Sequence, residues 1–235
     1  MNWQHEIVRQ IQGVANYIEE VNRQIQQQAE YAEMLCQSIL QHAVEGKLCE
    51  QDPKDEPASV LLEKIKAEKE RLIAEKKIKK QKPLPPISEE EKPFDLPRGW
   101  EWCSINEIAF VTKLAGFEFT KYFVLKTSGD VPVIRAQNVK KASLDLSNLL
   151  YIDSETSNFL QRCALDKKCL VMTFIGAGIG DVAVFDCKSR FHLAPNVAKI
   201  ELYGKINEKY YFTGGIQIWN SINRNLLNLW LKAMF

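Results

Sequence analysis

Residues 169–186 read CLVMTFIGAGIGDVAVFD and place Gly176, Gly178 and Gly180 between two apolar runs rich in Val, Ile and Phe. A dinucleotide-binding fingerprint requires Gly-x-Gly-x-x-Gly and a following helix, but its third glycine position falls on Asp181 and a strand-like run follows. A P-loop requires Gly-Lys-Ser/Thr, and the stretch has no lysine. Residues 169–186 therefore predict a β-hairpin of the strands CLVMTFI and IGDVAVF. Its turn uses the positive φ that glycine adopts without strain.

Short runs of β-branched and aromatic residues continue on both sides of this hairpin. EWCSINEIAFVT (101–112) and DVPVIRA (130–136) precede it, and NVAKIEL (196–202) follows it. Residues 155–161 and 219–235 have helical patterns. The sequence thus predicts that residues 99–235 form a mixed α+β domain rich in short strands.

A proline-rich segment precedes this domain. KPLPPISEEEKPFDLPRGW (82–100) contains five prolines, cannot remain helical, and predicts a linker over residues 83–98. Before it, ASVLLEKIKAEKERLIAEKKIKK (58–80) predicts a second helix, with Ser59 or Asp55 as its N-terminal cap and a solvated Glu/Lys face. Residues 1–82 are predicted to form a helical arm.

The arm begins with a heptad pattern. Its apolar residues step by 4, 3, 4, 3 and 4, and after a stutter they continue through Ala29, Ala32, Cys36, Ile39 and Ala43. The first part of this seam is Ile7, Ile11, Val14, Ile18, Val21 and Ile25. A helix over residues 5–45 is about 60 Å long, and Gly46 is placed to end it. One helix cannot bury so narrow a stripe, so the seam predicts a partner helix from a second copy or another chain. The alternative is packing on the chain's own second domain.

Charge and cysteine content narrow the classes of function. Residues 1–50 carry seven acidic and three basic side chains, whereas residues 99–235 carry 16 basic and 12 acidic ones. This mildly basic C-terminal half is compatible with a nucleic-acid partner without requiring one. The six cysteines show no Cys-x-x-Cys spacing, so no metal site is predicted. A polar N-terminus and the absence of a 20-residue apolar run predict a cytoplasmic protein.

One pattern raises the alternative of a Mg²⁺-dependent nuclease. Asp166, Asp186 and Lys188 lie at the outer ends of the two hairpin strands and match the order Asp…Asp-x-Lys in which carboxylates hold Mg²⁺. The pattern is short, and such residues at hairpin ends are commonly solvated. The chain has no Asp/Asn-Pro-Pro-Tyr/Phe motif of adenine methyltransferases.

Four stretches resemble the specificity (S) subunits of type I restriction–modification systems. QHEIVRQI (4–11) is similar to the start of the conserved helical region of that family. SILQHAVEGKLCEQDPKDEPASVLLEKIKAEKERL (38–72), followed by KKQKPLPPISEEEKPFDLPRGWEW (79–102), is similar to its spacer and to the entry of a target-recognition domain. GDVPVIRAQNVKKASLDLSNLLYI (129–152), and CLVMTFIGAGIGDVAVF with APNVAKIEL (169–202), are similar to the core of that domain.

The resemblance implies a DNA-recognition subunit that is not an enzyme. In this family a target-recognition domain reads half of a bipartite DNA site, and paired antiparallel helices set the distance to the other half. Methyltransferase (M) subunits dock on the S subunit and bring S-adenosylmethionine, and a restriction (R) subunit adds ATP-driven cleavage. Cofactors, including Mg²⁺, are therefore expected on partner subunits and none on this chain.

The chain departs from the family pattern in two respects. It has one recognition domain and one arm where a full-length S subunit has two of each, and its sequence after residue 202 does not follow the usual ending. The chain is therefore expected to be either a half-sized subunit that pairs with itself or another S-type arm, or a fragment. A coiled-coil interaction protein that has lost DNA binding is the alternative.

The residues that contact DNA are predicted from side-chain chemistry and expected loop positions. Arg135, Gln137 and Asn138 are base-reading candidates, although Arg135 and Asn138 could instead hold the fold together. Lys140 and Lys141 are candidates for phosphate contacts. Weaker candidates are Lys121, Lys126 and Thr173. The glycine turn either closes the hairpin only or lets a DNA backbone approach closely.

Overall fold

The computed structural model describes residues 2–78, 80, 87–92 and 94–204. It contains a long N-terminal helix α1 (Asn2–Val44), a second helix α2 (Ala58–Ala74) and a domain of short strands and helices. This architecture confirms the predicted α+β class. The predicted helix over 219–235 lies outside the described residues, and the predicted domain boundaries stay predictions.

Helix α1 has 43 residues and ends at a glycine cap. The Gly46 N–H donates to Ala43 O and the Lys47 N–H donates to His42 O, while Gly46 has a φ of +68°. These two bonds form a Schellman motif, which confirms Gly46 as the stop signal. Within the described residues, most of the seam of α1 is exposed to solvent and is not part of the core of the strand domain. Val21 of the seam is half-buried. The other large apolar side chains of the seam are 45% to 63% exposed: Ile7, Ile11, Val14, Ile18, Ile25 and Ile39.

The predicted N-terminal cap of α2 is wrong. Neither Ser59 nor Asp55 caps the helix; Pro57 occupies the N-cap position, where no side chain caps the helix. The Ala58 N–H instead donates to Gly99 O at 2.8 Å, so a residue that follows the linker satisfies the first turn. The helix start is thus set by a tertiary contact that local sequence does not reveal.

Beyond residue 104 the chain alternates short strands with short helices. The α-helices are α3 (Ile105–Ile108), α4 (Gly116–Tyr122) and α5 (Ser154–Phe159), and 3₁₀ turns span Ala136–Asn138 and Gln161–Cys163; a further 3₁₀ turn, Glu89–Glu91, lies before this region. The strands are β1 (Ala109–Lys113), β2 (Val131–Ile134), β3 (Val139–Lys140), β4 (Ser143–Leu144), β5 (Leu150–Ile152), β6 (Ala164–Leu165), β7 (Cys169–Thr173), β8 (Val182–Phe185), β9 (Phe191–Leu193) and β10 (Val197–Leu202).

Within the described part of the chain, the strands form two four-stranded sheets and one two-stranded hairpin. The first sheet has the order β1-β10-β7-β8 and is antiparallel throughout. The second has the order β5-β2-β9-β6, with β2 and β9 parallel. Strands β3 and β4 pair with each other. Of the predicted strand regions around the hairpin, 130–136 and 196–202 contain β2 and β10 with shorter bounds, whereas in the run 101–112 only the last residues belong to a strand, β1, and Ile105–Ile108 form the helix α3.

Strand β7 is buried on both faces. Leu170 and Met172 belong to a core cluster that also contains Ile65 of α2. Cys169 and Val171 belong to a second cluster, which contains Ile134 and Leu193 of the second sheet. Successive residues of a strand point to opposite faces, so the first sheet lies between helix α2 and the second sheet.

The predicted hairpin is confirmed in its pairing and corrected in its turn. Cys169 pairs with Phe185 and Met172 with Val182, but the strands stop there and a loop spans residues 174–181. Gly176 and Gly180 have φ values of +117° and +89°. Gly178 lies outside the positive-φ region, and a Cβ there would lie 2.8 Å from Asp181 Oδ2, so a larger residue would require the Asp181 side chain to shift.

Replacing Ile65 tests whether α2 belongs to the core of the strand domain. Ile65 is only 2% exposed, so Ile65→Ala should lower the free energy of unfolding by about 2–5 kcal/mol in urea denaturation. Leu61→Ala, one turn earlier in α2 at a more exposed position, is the matched control and should cost clearly less. Equal losses for the two variants would contradict the packing of α2 on the sheet.

The buried His192 of β9 should make stability depend on pH. Its ring nitrogens lie 3.0 Å from Leu193 O and 3.2 Å from Leu160 O, and burial lowers its pKa below the usual value. The unfolded chain then takes up a proton at pH values where the folded chain does not, so the free energy of unfolding should fall as pH drops below about 6.5. Urea titrations between pH 5 and 7.5 should show a shallower pH dependence for His192→Gln, and an unchanged slope would refute this assignment.

Candidate nucleic-acid interface

The turn that carries Lys140 and Lys141 lies beside the glycine loop. This turn joins β3 to β4, and the N–H of its third residue, Ala142, donates to Val182 O at 3.1 Å. Val182 is the first residue of β8, directly after the loop of residues 174–181. Two segments that are 40 residues apart in sequence therefore meet at one edge of the domain.

Asn138 holds this segment together from inside the fold. It is 2% exposed, its Oδ1 accepts the Arg135 N–H at 3.0 Å, and its Nδ2 donates to Asp145 O at 2.9 Å. A base contact would require these buried bonds to break. Asn138 therefore stabilises the fold of this segment, and its side chain is not available on the surface for a base contact.

Arg135 also contributes to the scaffold. Its Nη2 donates to Asn148 O at 2.8 Å, and its Nε is buried without a hydrogen-bond partner. The side chain is half-buried, with part of the guanidinium committed to the loop of residues 145–148. Of the three base-reading candidates, Gln137 is exposed, whereas Arg135 is half-buried and Asn138 is buried.

An Asx turn shapes the outer side of the segment. Asp145 Oδ1 accepts the Ser147 hydroxyl at 2.6 Å and the Ser147 N–H at 3.0 Å, and these bonds hold the pKa of Asp145 below its usual value. The Asp-Leu-Ser sequence at 145–147 is typical of such a turn. This local signal for the loop is present in the sequence but was not among the features predicted from it.

The glycine loop presents two apolar side chains to solvent. Ile175 and Ile179 are 53% and 51% exposed, on either side of Gly176, Ala177 and Gly178. Thr173, by contrast, is fully buried at the end of β7 and cannot reach DNA from there, because alternate strand residues point into the core. The prediction that Thr173 contacts DNA is thus opposed by its position.

Lys121 and Lys126 are exposed but are tied to other segments. Lys121 Nζ lies 5.1 Å from the ring centroid of Tyr122 on α4. Lys126 Nζ forms an ion pair with Asp153 at 2.7 Å, and its backbone bridges to Tyr151 of β5. These contacts tie the two lysines to α4 and to the region of β5, whereas the turn at Lys140 and Lys141 is hydrogen-bonded to the start of β8.

The residues of the nuclease hypothesis are exposed at the far end of the hairpin. Asp166 precedes β7, while Asp186 and Lys188 follow β8. Within residues 2–78, 80, 87–92 and 94–204, no group of three or more His, Cys, Asp or Glu side chains is arranged to hold a metal ion.

Comparisons with known proteins identify the family. The chain is 35% identical over 200 residues to the type I restriction enzyme EcoAI specificity subunit of Escherichia coli, a match that covers 83% of this chain and 31% of that protein. It is 67% identical over 69 residues to the EcoEI specificity subunit of the same organism, covering 29% of this chain and 12% of that protein. The chain belongs to the type I restriction enzyme specificity subunit family.

The chain spans less than a third of each of these specificity subunits. No protein-family model matches it. The crystal structure of the HsdS subunit from Thermoanaerobacter tengcongensis is similar over 98% of this chain and 48% of that one, with 10% identity and a TM-score of 0.47. In the described part of this family member, none of the helices has the length and apolarity needed to cross a membrane.

Substitutions at Asn138 and at its neighbour Gln137 test whether Asn138 stabilises the fold while Gln137 lies on the surface. Asn138→Ala leaves the Arg135 N–H and Asp145 O without their partner, so it should lower the free energy of unfolding by about 1–3 kcal/mol. Gln137→Ala, at the exposed neighbour, should change it by less than about 0.5 kcal/mol. Urea denaturation followed by tryptophan fluorescence measures both, and a neutral Asn138→Ala would remove the scaffold assignment.

Proposed function

We propose that this chain is the DNA-recognition component of a type I restriction–modification complex and carries out no catalytic step itself. The observation that carries the proposal is the 35% identity to a named specificity subunit along 83% of the chain. In this role the strand domain reads one half of a bipartite site on double-stranded DNA.

The edge formed by the β3–β4 turn and the glycine loop is the proposed DNA-contacting surface. Lys140 and Lys141 are exposed and suit phosphate contacts, while Gln137 can form the paired hydrogen bonds that recognise adenine. Ile175 and Ile179 add apolar side chains of the kind that contact thymine methyl groups. Gly176 lies between them, and no atom lies within 4 Å of a Cβ added there, so the loop backbone at this residue can approach the DNA closely.

Helix α1 is the proposed pairing surface. Its exposed seam repeats with heptad spacing over more than five turns, and such a stripe is stable in water when a second helix covers it. The proposed partner is the α1 helix of a second copy or another S-type arm. Pairing of two identical chains by a two-fold axis would give a palindromic bipartite DNA site.

The proposed complex contains M subunits docked on this chain and, for cleavage, an R subunit. The M subunits would supply S-adenosylmethionine and extrude the target adenine from the duplex. ATP and Mg²⁺ would likewise act on partner subunits. Such a complex would operate in the cytoplasm.

Methylation of a random-sequence DNA library by the chain together with its M subunits tests this function. Sequence-specific methylation should appear only when the chain is present. The coiled-coil alternative expects a dimer in sedimentation without DNA recognition. The nuclease alternative expects Mg²⁺-dependent cleavage by the chain alone, which Asp186→Ala abolishes; either result would overturn the proposal.

The two lysines should contribute to the salt dependence of DNA binding. The double variant Lys140→Gln/Lys141→Gln should reduce the slope of log K against log salt by about 1–2, since each phosphate contact contributes about 0.9. It should weaken all sequences about equally. Lys188→Gln, an exposed lysine after β8, is the matched control, and equal slopes for both variants would place the DNA surface elsewhere.

A further inference from the structure

The helix α1 is joined to the strand domain by a short relay of hydrogen bonds. The carbonyl of Gly46, directly after α1, accepts a hydrogen bond from Gln51 Nε2 at 3.0 Å. Gln51 Oε1 in turn accepts the indole N–H of Trp100 at 2.9 Å, across 49 residues of sequence. The C-terminal cap of α1 is therefore tied through one glutamine to the entry of the strand domain.

Close packing at the same point leaves space for glycine alone. A Cβ at position 46 would lie 2.6 Å from Pro97 Cγ and 3.2 Å from Trp100 Cζ2. The φ of +68° independently disfavours any L-side chain there. Gly13, within α1, has no atom within 4 Å of an added Cβ, so the constraint at Gly46 is specific to this junction.

We propose that Gly46, Gln51, Pro97 and Trp100 form an elbow that sets the direction of α1 relative to the strand domain. The consequence for DNA rests on the proposed function: the elbow would determine the spacing between the two half-sites. With a rise of 1.5 Å per residue, α1 is about 65 Å long, so a swing of about 10° moves its far end by about 11 Å. That displacement equals about three base pairs at 3.4 Å each.

Distance measurements on the free protein test the elbow without DNA. Spin labels are placed at Asn16→Cys, 30 residues before Gly46, and at Glu155→Cys in the strand domain, with labelled chains diluted into unlabelled chains so that only intramolecular distances are recorded. The native cysteines that would react are replaced by serine: Cys36, Cys49, Cys103 and Cys187. The wild-type elbow should give one narrow distance distribution in pulsed electron spin resonance.

Variants of the elbow should shift or broaden that distribution. The label at position 16 lies about 45 Å from the elbow, so a swing of about 10° displaces it by about 8 Å. Gly46→Ala should produce a change of this size, and Gln51→Ala, an exposed substitution that leaves the core intact, should produce a smaller one. The matched controls Gly13→Ala and Gln28→Ala should leave the distribution as in the wild type, and circular dichroism verifies that every variant is folded.

Two results would overturn the elbow: a broad wild-type distribution, or a folded Gln51→Ala and Gly46→Ala with the wild-type distribution. In the methylation assay, the elbow variants should accept half-site spacings that differ by one or more base pairs from the wild-type spacing, and an unchanged spacing would refute the consequence for DNA. If the wild-type chain directs no sequence-specific methylation, the proposed function fails while the distance result still decides the elbow.

Discussion

Strand β7 must be covered by protein on both of its faces, and the rest of the domain is arranged to do this. All five of its residues, Cys169–Thr173, are buried. One face is covered by α2 and α3 and the other by the second sheet. Helix α2 precedes the proline-rich segment in sequence. It is part of this core only because the strand domain, which follows that segment, packs against it. Ile65 of α2 belongs to the same apolar cluster as Leu170, Met172 and Ile200, so α2 is part of the cover of this face.

The same burial determines how the polar residues of the interior are held. Lys199 of β10 points to the inner face of the first sheet, where its Nζ donates to Ala164 O and forms an ion pair with Glu201 at 3.0 Å. His192 lies between two backbone carbonyls. Burial raises the pKa of Cys169 to about 12, so this thiol stays protonated and packs as a small apolar residue. Hydrogen bonds to backbone carbonyls and, for Lys199, an ion pair thus make the buried core compatible with these polar side chains.

Residues 135–148 combine two roles in one short segment. Arg135 and Asn138 stabilise the loop from within, while Gln137, Lys140 and Lys141 are exposed on its surface. A rigid scaffold allows the exposed side chains to vary in sequence while the loop keeps its shape, which suits a protein that must recognise a particular DNA sequence. The elbow is the proposed counterpart at the entry of the domain, where a few contacts orient a long helix.

The sequence by itself determined the features that depend on local periodicity and local backbone chemistry. The heptad seam specified α1, Gly46 specified its end, and the glycines between two apolar runs specified the hairpin of β7 and β8. The exposure of Lys140 and Lys141 in the β3–β4 turn was also predictable from the sequence, because charged residues in a turn are solvated. Only the tertiary structure decided that Gly99 caps α2 in place of Ser59 or Asp55, that Thr173 and Asn138 are buried, and that the lysine turn meets the glycine loop. These features depend on contacts between segments that are distant in sequence. The free energy of such contacts depends on which surfaces the folded chain buries against each other, and a local sequence pattern does not contain that information.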